Sequence, residues 1–167
     1  PFRIRYPCGR RFFALIIDFA SNFTMIYRSR AKDALSPDLL HFIDMSERQQ
    51  QPRRVVAIIG DNALVGHLKK ELKARGIQVV CTAPGSSESN GKTERRIRTV
   101  CEAARAMMAL ADLPPTFFLH ACVYAVYILN HMPDKRHPRS KIDPRRHLSA
   151  VEVWLRQDFG TTKSLLL

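Results

Sequence analysis

Two carboxylates stand where the character of the chain changes. Asp61 closes the apolar run "RRVVAIIGD", and Glu94 lies in "SESNGKTERRIRTV" among Lys92, Arg95, Arg96 and Arg98. Asn90-Gly91 is a turn pair, and the residues after it have helical periodicity. An acid at a strand end and an acid opening a helix can face one crevice, because the ligands of open α/β sheets bind beyond the strand ends. Carboxylates that converge there bind hard divalent cations, and Mg²⁺ takes one or two of them together with phosphate oxygens. Two such ions about 3.5–4 Å apart activate a water or hydroxyl and stabilise the leaving oxygen of a phosphodiester. Lys92, Arg95, Arg96 and Arg98 would then hold neighbouring nucleic-acid phosphates. Simpler roles compete: Asp61 can cap the helix after it, Glu94 suits a helix N-terminus, and the cations can line a solvated face.

The elements that must position these residues follow from the apolar pattern. "RRFFALIIDFA" is a buried strand ending at Asp18, and the alternating "NFTMIYRSR" returns from it as a hairpin. "SPDLLHFIDMSERQQ" opens a helix with Ser36 as N-cap, Pro37 at its first position and Asp38 in its first turn. The strand ending at Asp61 comes next, then an amphipathic helix closed by Gly76. "IQVVCTA" is another strand, and "PGSSESNG" reads as a loop. A helix is expected from about Lys92 to Asp112, broken by Pro114 and Pro115. The next, "TFFLHACVYAVYILNHM", is apolar almost all round and so is expected to be buried. Residues 1–133 are expected to form one core. Residues 134–167 read as a basic linker followed by a helix, "SAVEVW", whose capping box pairs Ser149 with Glu152. The order β-β-α-β-α-β-α-α means an α/β layer fold with a mixed sheet.

The 167 residues carry 27 Lys and Arg against 15 Asp and Glu, a net charge of 27 − 15 = +12. A polyanion is the expected partner, most often a nucleic acid. The longest apolar run, "FFLHACVYAVYIL", is too short to span a membrane and contains His120. Cys8, Cys81, Cys101 and Cys122 lack the spacing of a zinc site and read as free thiols of a reducing compartment. The chain starts at Pro1 without an initiator Met or a signal-peptide pattern, which reads as a fragment or a processed product.

"IIGDN", then Gly76-Ile77, "SNGKTERRIRTVCEAARAMM", "AVYILNHMP" and "SAVEVW" resemble, in that order, the catalytic core of retroelement integrases, most of all those of copia-type retrotransposons. The resemblance covers nearly the whole chain. It implies an RNase H-like fold and an Asp-Asp-Glu triad that binds Mg²⁺ or Mn²⁺ and catalyses 3′-end processing and strand transfer of element DNA into a target. By it, Asp61 is the second carboxylate and Glu94 the third; Glu88, nearby, is the weaker alternative. The partners implied are double-stranded DNA, both element ends and target, and further copies of the chain; the compartment implied is intracellular and nuclear.

Asp18 is the tempting first carboxylate, but it resembles the family's hairpin-turn Asp, paired with Ser21. The family's first catalytic Asp lies on an earlier, central strand, shortly before a Gly-Pro, and this chain resembles the segment after that strand. The first strand and its Asp are therefore expected to be missing, leaving the chain inactive by itself. The family's residues after Asp61-Asn62 also differ from "ALVG" here, and the zinc ligands of the integrase N-terminal domain are absent. A non-catalytic DNA-binding relic or co-opted domain is the alternative. Another nuclease of the same fold, an RNase H or a resolvase, fits the motifs less well.

Overall fold

A computed structural model describes Gly9 and residues 12–30, 36–61, 65–82 and 87–157; the side chains of 36, 61, 81–82 and 87–90 lie outside the described residues. Strands β1 (Phe12–Ile17) and β2 (Thr24–Ser29) pair antiparallel, from Phe12 opposite Ser29 to Ile17 opposite Thr24. Their turn is built as expected of an Asp-x-x-Ser pair. Asp18 Oδ2 accepts from the Ser21 amide at 2.8 Å and from Ser21 Oγ at 2.6 Å. Asn22 takes the left-handed conformation (φ 58°), which Asn tolerates better than most residues.

Helix α1 (Ser36–Gln49) leads to β3 (Ala57–Asp61), which pairs in parallel with β4 (Gln78–Thr82). Parallel neighbours need a crossover. Its regular part is short, helix α2 (Lys69–Ala74), anchored by the fully buried Leu72. The chain leaves α2 through Gly76 at φ 75°, with the Ile77 amide donating to the Leu72 carbonyl at 2.9 Å. The two strand pairs do not join into one sheet, and among the described residues no strand lies between β1 and β3. A largely apolar cleft of about 750 Å³ separates them, lined by both strands along their length.

Helix α3 (Ser87–Leu110) is longer than expected, running through Asn90-Gly91 without a turn. A helical Gly costs about 1 kcal/mol relative to Ala, little beside the packing of so long a helix. A short 3₁₀ turn, Pro115–Phe117, leads into helix α4 (Phe118–His131). This helix is not buried all round: Leu119, Cys122, Ala125, Val126 and Asn130 face the core, whereas Tyr124 is 58% exposed. Its apolar character is that of a one-sided helix whose outer face carries aromatic rings.

The core has two centres. Leu15 of β1 packs with Val100 and Ala104 of α3 and with Cys122, Ala125 and Val126 of α4. Leu39 and Ile43 of α1 pack with Val65, Leu68, Leu72 and Ile77. Trp154 joins the hairpin to α1. It lies in helix α5 (Ala150–Leu155), stacks on Phe23 at 4.7 Å, meets Phe42 at 5.7 Å, and donates from Nε1 to Gln49 Oε1 at 2.9 Å.

The stretch after Pro133 is a closed loop and not the open linker its composition suggested. Pro133 bridges to Ser149 and Arg139 to His147, and His137 and Ser140 are buried. Local side chains shape it: Ser140 Oγ accepts from the Asp143 amide at 2.9 Å and Asp143 Oδ1 from the Arg145 amide at 3.1 Å. The expected capping box of α5 is present, and it has a third member. Arg146 donates from both terminal nitrogens to the fully buried Glu152 carboxylate, at 2.9 and 2.5 Å.

Candidate nucleic-acid and metal site

The inner stripe of α3 is Thr93, Ile97, Val100, Ala104 and Met108, at the helical spacing of three and four. Its first two members line the cleft, together with Ile59 and Gly60 of β3 and with Asp18, Phe19 and Ala20 of the hairpin turn. The end of β3 and the first half of α3 therefore meet at one rim. Asp61, the last residue of β3, stands opposite Thr82 in the register. Its carboxylate lies outside the described residues. Gly60 admits no larger residue easily, because a Cβ there would meet Val65 Cγ1 at 3.0 Å.

Glu94 follows Thr93 around the helix and is exposed. Among the described residues it makes no hydrogen bond or ion pair, although Arg95 and Arg98 flank it. A carboxylate left open beside cations suits a hard cation or a phosphate-bound ion. Among the described side chains, no three His, Cys, Asp or Glu residues converge. Donors within reach of a metal thus come down to Glu94 and, by the position of its backbone, Asp61. That number fits a Mg²⁺-type ion whose remaining ligands are phosphate oxygens and water.

The four cations of the basic run divide into two pairs. Arg95 and Arg98 are exposed. Lys92 and Arg96 turn inward to the hairpin. Lys92 Nζ donates to the Phe19 carbonyl at 2.8 Å and sits 4.4 Å from the centre of the Phe19 ring. Burial lowers its pKa, and Arg136 lowers it further; nearby Asp18 pulls the other way. Arg96 donates from Nε to Thr24 Oγ1 at 2.9 Å and from Nη2 to the Asn22 carbonyl at 3.2 Å. Burial again lowers its pKa, followed by repulsion from Arg136, with Asp134 opposing. Arg136 comes from the closed loop, and the sequence offered no sign that it would approach this helix. It is held by Asp134, whose carboxylate accepts Arg136 Nε at 3.0 Å and Nη2 at 2.5 Å.

Asn130 supports the same hairpin from the other side. Its Oδ1 accepts the Thr24 amide at 3.0 Å and its Nδ2 donates to the Thr24 carbonyl at 2.8 Å, completing the backbone pairing at the start of β2. The motif "YILN" contributes structure here, a role that only the long-range contact exposes.

No family model matches the chain. Similar sequences are retrovirus-related Pol polyproteins of plant transposons. Over 135 residues, 80% of this chain, it is 29% identical to that of transposon TNT 1-94 of Nicotiana tabacum. Those of transposons RE1 and RE2 of Arabidopsis thaliana are 24% and 26% identical, each over 74% of this chain. The chain spans only 10% of the first polyprotein and 8% of the other two. In structure it is similar to the catalytic core domain of BIV integrase, with a TM-score of 0.53, 19% identity, and coverage of 86% of this chain and 85% of that one. The fold is thus that of a retroviral integrase catalytic core.

Proposed function

Given that the chain is a relative of the retrovirus-related Pol polyproteins of plant transposons and has the integrase-core fold, we propose that it is the DNA-integration part of such a polyprotein. Asp61 and Glu94 would hold Mg²⁺ or Mn²⁺, which when bound supplies activation of the attacking oxygen and charge neutralisation at a phosphodiester. Arg95 and Arg98 would take phosphates of double-stranded DNA beside it, while Lys92 and Arg96 hold the helix that presents them. The observation that carries this reading is the open Glu94 carboxylate on an arginine-bearing helix, whose inner stripe lines the cleft reached by the end of β3. With two carboxylates of a triad, this chain by itself is expected not to join DNA.

The test is binding of Mn²⁺ and of a duplex carrying element-like ends. Mn²⁺ retention that is lost in Glu94→Gln and in Asp61→Asn, with duplex binding weakened in Arg95→Ala/Arg98→Ala, supports the reading. Duplex binding that is indifferent to metal and to both carboxylates would favour a non-catalytic DNA-binding domain instead.

A further inference from the structure

Helices α3 and α4 pack with two thiols at their seam. Cys122 of α4 is fully buried among Val100, Ala104, Ala125 and Val126, while Cys101 of α3 is partly open to solvent. The two side chains are hydrogen-bonded to each other across the interface. One turn beyond Cys101, Arg105 lies over the Phe118 ring at 5.8 Å, and its charge acts on both sulfurs; Glu102 is the opposing charge near Cys101. Neither thiol has a part in the metal and DNA chemistry above.

The surroundings give the two sulfurs different tasks. The hydrogen bond from Cys122 brings the Cys101 pKa down to about 7; burial opposes this and Arg105 assists it. Donation to Cys101 pushes the Cys122 thiol up, and burial adds to that. Near neutral pH, Cys101 is therefore the accessible thiolate and Cys122 a neutral thiol held against it. The thiolate is the nucleophilic form, and an exposed thiolate beside a second thiol is the arrangement in which oxidation is captured reversibly.

We propose that Cys101 and Cys122 form a peroxide-responsive dithiol site that closes into a disulfide joining α3 to α4. The Cys101 thiolate attacks one oxygen of hydrogen peroxide. The O–O bond breaks, hydroxide leaves and is protonated to water, and Cys101 becomes a sulfenic acid. The Cys122 sulfur then attacks the Cys101 sulfur. The S–O bond breaks, and the hydroxyl leaves with the Cys122 proton as a second water. Two thiols and one peroxide give one disulfide and two waters, a two-electron oxidation of sulfur. In the second step the thiolate that opposed ionisation of Cys122 has gone, while Arg105 remains beside it. Cys101 lies two helical turns after Glu94 on the same face of α3, so the bond would fasten the helix that carries the candidate metal ligand.

The experiment uses the full chain with Cys8 and Cys81 changed to Ser, treated with hydrogen peroxide and mapped by mass spectrometry without reduction. The expected result is a 101–122 cross-linked peptide, released by dithiothreitol, from folded protein. The rate of Cys101 alkylation by iodoacetamide should rise through a pH of about 7, the value its surroundings set. In Cys122→Ser, and likewise in Cys122→Ala should the polar replacement unfold the core, Cys101 should pass on to sulfinic acid. Failure to form the cross-link in folded protein would overturn the proposal. So would Cys101 alkylation following an ordinary thiol titration, or Cys101 oxidation stopping at the same product with and without Cys122.

Discussion

Arg96 reaches across from α3 to Thr24, Nε to Oγ1 at 2.9 Å, and binds the Asn22 carbonyl with its other arm. A cation that composition placed on DNA thus fastens a helix to a hairpin. Thr24 is fully buried, and removing a charged donor from such a site costs about 1.5–3 kcal/mol. Arg96→Ala should lower the melting temperature accordingly. Arg95→Ala and Arg98→Ala should stay within about 0.5 kcal/mol of the parent, but each should reduce the slope of log affinity for duplex against log salt by about 0.9. Thermal melts and a salt series on the three variants separate the two kinds of arginine.

Glu152 carries the heaviest structural duty of any acid described. It has no exposed surface, caps α5 with Ser149 and pairs with Arg146, which is itself largely buried. Glu152→Ala removes the cap and strands a buried guanidinium, so a loss of about 3–5 kcal/mol is expected. Glu152→Gln can keep the capping box and should lose less. Chemical unfolding of both variants measures the difference. Equal losses would mean that the charge contributes little.

Asp134 should make the closed loop acid-sensitive. Arg136 holds its pKa down to about 2, from an ordinary value of 3.8. A folded-state pKa below the unfolded one stabilises above the unfolded value and is lost as pH falls toward the folded value. The window is therefore about pH 4 down to about 2. Arg136 is 68% exposed, so solvent screening leaves the contribution at about 1 kcal/mol. Asp134→Asn should flatten that part of the stability–pH curve while changing stability near pH 7 by the same amount.

How much of this was readable in advance depends on the range of the interaction. The Asp18–Ser21 turn, the Gly76 helix stop and the Ser149–Glu152 box are contacts within a few residues, and their residue types announce them. Arg96 to Thr24 and Asn130 to Thr24 span 72 and 106 residues, and no local pattern distinguishes such a side chain from an exposed one. Asn90-Gly91 misled because a turn preference of about 1 kcal/mol yields to the packing of a long helix. The linker reading weighted Pro and charge, and passed over Asp134, Ser140 and Asp143, whose short side chains fold the loop on itself. The thiol pair was missed for the same reason of range, 101 and 122 being far apart in spacing but adjacent on packed helices.

Salt should separate two properties of one surface. β1 pairs only with β2 and β3 only with β4, so each has an edge facing the cleft with no strand on it among the described residues. Unpaired edges flanked by apolar side chains invite pairing with another chain. The net charge of +12 opposes this by repulsion between copies. That repulsion is screened as the Debye length falls from about 30 Å at 0.01 M salt to about 10 Å at 0.1 M. Self-association should therefore strengthen with salt over the range in which duplex binding weakens. Val56 immediately precedes β3, lines the cleft and is 75% exposed. Val56→Lys adds a charge at that edge where little packing is lost, so it should suppress association without lowering the melting temperature. Sedimentation velocity across a salt series, run beside duplex titrations on the same samples, reads both signs. Association that weakens with salt, or that Val56→Lys leaves unchanged, would show that copies meet through charged surfaces and not through the open edges of β1 and β3.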